Sequence, residues 1–351
     1  MRAVVYDRNG GPEVLHEVDL PTPEPGPGEV RVAVRRSGVN PTDWKSRQGS
    51  GPDTPVEPAH TPNQDGSGVV EAVGEGVDDA LVGRAVWLWE AARDRPRGGT
   101  AQQQTVLPVR HVVPLPGSAD PGSAVLDSAN FDLGASLGVP FLTAHRCLTV
   151  TEGGPSSLGP GALQGHVVLV AGGAGAVGNA AIQLARWADA TVITTISNPH
   201  KAQLAAAAGA DHVIDYRQQD VVAEIRRIAP HGVHSIVEVS PGKNAAIDAQ
   251  VLAMHGSVAV YADDNTSEVS IPVRASMLPN VRWQFVLVYT EPAVAKATGI
   301  ADVSAAVRAG AIRVGEAAGL PLHHFPLADV AGAHQAVQDG TVGKVLIDVT
   351  N

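Results

Sequence analysis

From His166 onward the chain alternates short apolar runs with helical patterns, and few folds tolerate that rhythm. The apolar runs are His166–Ala171, Ala190–Ile196, His212–Ile214, Ser235–Val239, Ser257–Tyr261 and Val281–Val288. Helical patterns lie between them at Val177–Trp187, Pro199–Ala208, Asp220–Ile228 and Asn244–Met254. Strands joined by helices imply a parallel, doubly wound α/β sheet. Such strands are covered on both faces, so they read as runs of Val and Ile rather than as alternating patterns.

The first strand of this series runs into glycine. Residues 166–178 read His-Val-Val-Leu-Val-Ala-Gly-Gly-Ala-Gly-Ala-Val-Gly, which spaces Gly173, Gly175 and Gly178 as GxGxxG. With 38 glycines in the chain, the spacing alone is weak. A buried strand before it and a helix after it are the context that a dinucleotide fingerprint needs. Gly173 permits the tight turn, Gly175 lets the backbone approach a pyrophosphate, and Gly178 lets the helix pack close to the strand. Ala174, Ala176 and Val177 complete the turn, and the helix N-terminus offers free N–H groups to the anion. The alternative is a tight turn with no ligand.

NAD sites carry Asp or Glu at the end of the second strand, bonded to the ribose 2′-OH. Here that strand ends Thr195-Ile196-Ser197-Asn198-Pro199-His200-Lys201, without a carboxylate. Ser197 can donate a hydrogen bond to a 2′-phosphate and Lys201 supplies charge, so NADPH fits better than NADH. Ser197 or Asn198 can equally cap the next helix, with Pro199 in its first turn.

A length of 351 residues points to two domains. Lys and Arg number 25 against 36 Asp and Glu, a net charge of −11, which lacks the electrostatic footprint of a nucleic-acid binder. The one cysteine, Cys147, excludes an internal disulfide and a Cys-rich zinc lobe. The opening Met1-Arg2-Ala3-Val4-Val5-Tyr6-Asp7 does not read as a secretory signal. The longest stretch free of Asp, Glu, Lys and Arg, Gly153 to Ala185, carries too many glycines, prolines and glutamines to span a membrane. Cytoplasmic residence is therefore expected.

The first third has a different texture. Glu29–Arg35 alternates with period 2, Gly68–Gly74 and Arg84–Trp89 follow as further strands, and Gly- and Pro-rich turns separate them. This predicts a small, partly closed β domain. A helical stretch then runs from about Leu133 to Val150. Near the end, a helix at about Leu327–Gln338 and a strand at Lys344–Val349 return to the earlier style, so the tail is expected to fold back onto the first domain.

Several segments carry a resemblance. They are Ser37-Gly38-Val39-Asn40-Pro41-Thr42-Asp43, Asp65–Gly74, Gly99-Thr100-Ala101-Gln102, Gly134–Arg146, Ala208–Tyr216 and Gly343-Lys344-Val345. In order and spacing they resemble the zinc-independent, zeta-crystallin-like quinone oxidoreductases of the medium-chain dehydrogenase/reductase superfamily. The resemblance implies a GroES-like, partly closed β-barrel domain (residues 1–129 and 290–351) and a Rossmann NADP(H)-binding domain (residues 130–289). It implies a homodimer, and NADPH-dependent reduction of quinones or activated alkenes in an interdomain cleft. By position it puts Asn40 and Thr143 near the nicotinamide, and Ser197, Lys201 and Tyr216 around the 2′-phosphate. Tyr261 and Val286 would frame the nicotinamide, and Lys344 would lie near the cofactor. The chain departs from the family at Trp44-Lys45, where a Tyr often stands, at Asn63-Gln64, where Gly is common, and at Glu238-Val239-Ser240.

Zinc enzymes of this superfamily place a Cys near Asn40 and a His within His60–Asp65, and neither ligand pattern is present, so no metal is expected. His323-His324 on a strand would point to opposite faces, and His334 reads as a surface or packing residue. Without zinc, a simple alcohol has no Lewis acid to polarise its carbonyl. Quinones and α,β-unsaturated carbonyls need only hydrogen bonds and a proton, and Asn40, Lys45 and Thr143 are the candidate catalytic donors. The expected activity is direct hydride transfer from NADPH to a small-molecule quinone or enone. The alternatives are an enoyl thioester reductase of polyketide or lipid metabolism and a non-catalytic NADPH-binding protein.

Overall fold

The structure, a computed structural model, describes residues 1–116, 128–263 and 268–349. In chain order its elements are β1 (Arg2–Arg8), β2 (His16–Asp19), β3 (Glu29–Val39), α1 (Pro41–Gln48), β4 (Pro55–His60), β5 (Asp65–Val73), β6 (Ala85–Leu88), β7 (Gln104–Pro108), β8 (Val112–Pro114) and α2 (Ser128–Thr149). Then come β9 (Val167–Ala171), α3 (Ala176–Trp187), β10 (Thr191–Ile196), α4 (Pro199–Ala207), β11 (His212–Asp215), α5 (Val221–Ile228), β12 (Val233–Glu238), α6 (Pro241–Val251), β13 (Leu252–Val260), α7 (Val273–Met277), β14 (Arg282–Phe285) and α8 (Ala293–Arg308). The tail supplies β15 (Leu322–Pro326), α9 (Val330–Gln338) and β16 (Lys344–Asp348). Two compact units result: Met1–Val139 with Leu322–Asn351, and Pro140–Pro321.

In the first unit β3 is central and pairs antiparallel with β5, β7 and β16. The sheet runs β15-β16-β3-β5-β6-β8, with β7 off this path, while β1 joins β2 and β4. The period-2 pattern of β3 sends Val30 and Val32 into a core with Val70, Val86, Leu88 and Leu107. The tail does fold back: Val330 and Ala333 of α9 and Val345 and Ile347 of β16 share a second core with Val4, Val34 and Val39.

The second unit is a six-stranded sheet in the order β11-β10-β9-β12-β13-β14, parallel throughout. Leu169, Ile193, Ile214, Ile236 and Val258 form the middle of its core. Full burial of such a side chain contributes about 1.5–3 kcal/mol. Order reverses between β9 and β12, because β10 lies on one side of β9 and β12 on the other. Ligands of open α/β sheets bind beyond the carboxyl ends of the strands at such a reversal.

Some boundaries differ from the sequence expectation. The pattern predicts a helix through Met254, yet α6 ends at Val251 and β13 starts at Leu252. His255 takes a left-handed φ of +62°, which no continuing helix allows. β14 stops at Phe285, and a 3-10 turn at Val288–Thr290 replaces the expected strand end. The units divide at 139/140 and 321/322, where the expected boundaries are 129/130 and 289/290. Residues 290–321 join the second unit because its buried polar side chains hold them. Asn179 Nδ2 donates to the Ala318 carbonyl at 2.9 Å, and Gln183 Oε1 accepts from the Arg313 N–H at 2.8 Å. Asp302 on α8 meets His145 Nε2 at 2.8 Å. Among the described residues, no helix is long and apolar enough to cross a membrane.

Candidate cofactor and substrate site

At the carboxyl end of β9 the three glycines meet different surroundings. A Cβ on Gly173 would lie 2.1 Å from Thr194 Oγ1, and one on Gly178 would lie 2.4 Å from the Gly172 carbonyl oxygen. Both positions therefore need glycine for packing. A Cβ on Gly175 would meet nothing nearer than the Gly172 oxygen at 3.5 Å. Gly175 is exposed and forms the N-cap of α3, with Ala176 and Val177 half-buried behind it and Ala174 buried. The turn thus presents an open backbone surface at a helix N-terminus, which fits a pyrophosphate.

The end of β10 lies against this turn, since the Gly172 N–H donates to Thr195 Oγ1 at 3.4 Å and the Gly173 N–H to the Thr195 carbonyl at 3.3 Å. Ser197 follows, 8% exposed, and Lys201 is the third residue of α4, where Asn198 Oδ1 accepts from its backbone N–H at 2.9 Å. Asn198 is therefore the cap, and Ser197 has no capping duty. Tyr216 lies beside them, its N–H bonded to the Ile196 carbonyl at 3.1 Å and its side chain 52% exposed. Across the reversal, the Tyr261 N–H bonds to the Glu238 carbonyl and the Val286 N–H to that of Val260. These residues all lie at the carboxyl edge of one sheet.

Glu238 at the end of β12 is fully buried and was not foreseen as a site residue. Its carboxylate accepts from the Ser240 N–H and from Asn244 Nδ2 at 3.1 and 3.2 Å. Burial and the neighbouring Glu238 push the Asp248 carboxyl up to about 9, so Asp248 stays protonated and hydrogen-bonds to Glu238. Burial, then the nearby Cys147 and Glu238, also raises Tyr261, which is neutral at ordinary pH.

The first unit contains a second constellation, buried and charged. Lys344 Nζ donates to Asn40 Oδ1 at 2.7 Å and to Asp65 Oδ2 at 3.2 Å, and Asn40 Nδ2 donates to Asp65 Oδ2 at 2.8 Å. Lys344 is 1% exposed and Asp65 0%. Asp65 Oδ1 accepts the Val139 N–H of α2 at 2.8 Å. Asp43 accepts the N–H groups of Asn40 at 2.7 Å and Gln64 at 3.1 Å. Burial and then the Asp65 charge nevertheless push the Asp43 carboxyl up to about 7.

A neutral chain of hydrogen bonds runs alongside. His334 Nε2 meets Asn63 Oδ1 at 2.9 Å, Asn63 Nδ2 donates to Ser37 Oγ at 2.9 Å, and Ser37 Oγ meets Thr100 Oγ1 at 2.7 Å. Thr100 Oγ1 in turn donates to the Asp65 carbonyl at 2.6 Å. Asn63 holds a left-handed φ of +78°. His334, expected at the surface or in ordinary packing, is fully buried, and burial followed by the Arg47 charge depresses it to about 3. The periodicity of α9 could have placed it on the inner face, but only the long-range contact reveals its partner.

The candidate donors divide. Asn40 has its carbonyl engaged by Lys344 and one amide hydrogen engaged by Asp65, which leaves one hydrogen. Lys344, implied to lie near the cofactor, directs its ammonium into this cluster. Lys45 is exposed on α1, with Nζ 5.8 Å from the Trp44 ring centroid. Thr143 is 5% exposed on the portion of α2 that belongs to the second unit. His323 and His324 on β15 bond apart, to the Val342 carbonyl and to Asp348.

A zinc ion does not fit these residues. Asn40 and Gln64 offer carboxamides, and the Lys344 ammonium already occupies the Asn40 oxygen and would repel a cation there. No group of three or more His, Cys, Asp or Glu among the described residues could hold a metal. The sole thiol, Cys147, is buried and raised well above its ordinary range by burial.

Two family models match the chain: the alcohol dehydrogenase GroES-like domain over residues 26–117 and the zinc-binding dehydrogenase domain over residues 176–302. The synaptic vesicle membrane protein VAT-1 homolog of Rattus norvegicus is 32% identical over 76% of this chain, a match spanning 60% of that relative's length. The quinone oxidoreductase of Rattus norvegicus is 30% identical over 77% of the chain and 75% of its own length. Among solved structures, an NAD-dependent alcohol dehydrogenase aligns with a TM-score of 0.80 and 27% identity over 99% of this chain and all of that one. A mycobacterial protein solved with NADPH aligns at 0.77 and 27% over 99% of both chains. The chain belongs to the quinone oxidoreductase family of the medium-chain dehydrogenase/reductase superfamily, with its GroES-like and Rossmann units.

Proposed function

We propose that the protein is an NADPH-dependent oxidoreductase that reduces quinones or α,β-unsaturated carbonyls by direct hydride transfer, without zinc. The observation that carries this is the open Gly175 backbone at the N-terminus of α3, flanked by a β10 end that bears Ser197 and Lys201 and no carboxylate. Residues 173–178 would hold the pyrophosphate. Ser197, Lys201 and Tyr216 would take the 2′-phosphate, and Tyr261 and Val286 would flank the nicotinamide. The quinone oxidoreductase relatives and the NADPH-bound mycobacterial structure support the reading.

Bound NADPH supplies a hydride. The chain's own part is to orient the acceptor and meet charge on its oxygen. Hydrogen-bond donors aimed at developing oxyanion charge are effective in a water-poor site. The remaining amide hydrogen of Asn40, the hydroxyl of Thr143 and the ammonium of Lys45 fill that role. The same reading places the protein in the cytoplasm as a homodimer. Among the described residues β14 is an edge strand, and its Phe285, 60% exposed, with Leu287, 50% exposed just after it, supports a self-association surface.

The test is nicotinamide oxidation against ortho-quinones, para-quinones, enones and enoyl thioesters, with NADPH and NADH compared. NADPH is expected to outperform NADH, and Lys201→Glu to weaken NADPH binding at least about tenfold more than NADH binding. Equal loss for the two cofactors would remove Lys201 from the phosphate site.

A further inference from the structure

Two imidazoles stack at the amino end of the parallel sheet. His166 immediately precedes β9, and His234 is the second residue of β12. Their ring centroids lie 4.8 Å apart with 9° between the planes, and both side chains are half-buried. The Val167 N–H, the first of β9, donates to His234 Nδ1 at 3.0 Å. A ring nitrogen that accepts this bond carries no hydrogen, so His234 is held neutral with its hydrogen on Nε2. The side chain also stands where backbone pairing is incomplete. The ladder between β9 and β12 starts one residue later, at Val168 opposite Ser235. On the other side, the register of β12 against β13 shifts between Val233 and Ser235.

We propose that His234, stacked on His166, is an acid-released latch that fastens the amino end of β9 to β12. It is closed while the imidazole is neutral and opens when the imidazole takes up a proton. Protonation puts a hydrogen on Nδ1, where it meets the Val167 N–H donor to donor. The bond is lost, and a backbone N–H away from bulk water is left without its acceptor. Burial, and then the His166 charge, hold His234 below the ordinary imidazole value of 6.5. The open state therefore binds more protons, so the fastening is complete above pH 6.5 and fails as pH falls below it. His166 is the charged group that bears on His234. Of the other ionisable side chains on adjoining segments, Glu152 pairs with Arg282, Asp189 accepts the Gly161 N–H and His255 meets Asn280. His231 is exposed in the turn before β12, and Glu238 lies at that strand's far end.

The experiment follows the full-length, isotopically labelled protein by NMR from pH 7.5 to 4.5. Ring nitrogen shifts report the tautomer and titration of His234, and the hydrogen-exchange protection factor of the Val167 amide reports the latch. Wild type is expected to carry the His234 hydrogen on Nε2 at pH 7.5. Val167 protection is expected to fall at least about tenfold across the range, while that of Val170, deeper in β9, changes less than about twofold. The midpoint of the loss is expected to coincide with the titration of the His234 ring. His234→Asn, whose Oδ1 can accept the same N–H but cannot titrate, is expected to keep Val167 protected throughout. A hydrogen on Nδ1 at pH 7.5, flat protection in wild type, or a loss that does not track the His234 ring would each overturn the latch. So would Val167 and Val170 losing protection together, because the unit would then open as a whole, or an Asn variant with the wild-type profile. The wild-type readouts decide the matter even where the variant does not fold.

Discussion

His334 and Asp43 are both buried in the first unit and respond to pH in opposite senses. The unfolded His334 takes up a proton near pH 6.5, while the folded one resists to about 3. Its contribution is therefore complete above pH 6.5 and is lost as pH falls towards about 3, because the unfolded state binds more protons there. Asp43 runs the other way. Its folded carboxyl titrates near 7 against 3.8 unfolded, so its contribution is complete below pH 3.8 and lost as pH rises through about 7. His334→Gln retains a donor for Asn63 Oδ1 but cannot titrate. Urea midpoints measured from pH 7.5 to 4 are expected to fall more steeply in wild type than in this variant. Parallel curves would show that His334 does not titrate on unfolding in that range.

At the scale of elements, the turn between β9 and α3 separates packing from binding. Gly178→Ala forces a Cβ to 2.4 Å from the Gly172 oxygen, and both are backbone-constrained. Overpacking of this kind costs about 1–3 kcal/mol. Gly175→Ala enters open space and loses only glycine's advantage at an N-cap, about 1 kcal/mol or less. Denaturant unfolding should therefore rank Gly178→Ala as the more damaged fold. NADPH titration should rank Gly175→Ala as the weaker binder relative to its stability loss, because its methyl group stands where the pyrophosphate would lie. The reverse pairing would place the ligand elsewhere.

For the whole molecule, the tail is structural. Ending the chain at Pro321 removes β15, α9 and β16, and with them Lys344, His334, and Val345 and Ile347 of the first unit's core. Asp65 would lose its ammonium partner, and removing one member of a buried pair costs about 3–5 kcal/mol before any lost packing. The second unit keeps all six of its strands. Limited proteolysis of this truncation is expected to digest residues 1–139 rapidly while a fragment within 140–321 persists. Equal protection of both would show that the tail is dispensable.

The doubly wound unit was legible because each signal is local. The Val and Ile runs of β9, β10 and β12, the helices between them and the GxGxxG spacing sit within a few dozen residues and follow from burial and backbone sterics. The tail's return was legible from the resumed β texture, but α1 and α8 were missed. α1 (Pro-Thr-Asp-Trp-Lys-Ser-Arg-Gln) has almost no apolar periodicity and is started by Pro41 at its first turn and the Asn40 N–H bonded to Asp43. α8 is held in the second unit partly by Asp302, whose partner His145 is 157 residues away. What a side chain bonds over such distances leaves no trace in its neighbours. Composition and periodicity determined the sheet, the glycine turn and the absence of a carboxylate after β10. Tertiary structure alone decided that Lys344 is buried between Asn40 and Asp65 and that His334 is a neutral core residue, because each depends on which distant groups share one dry space.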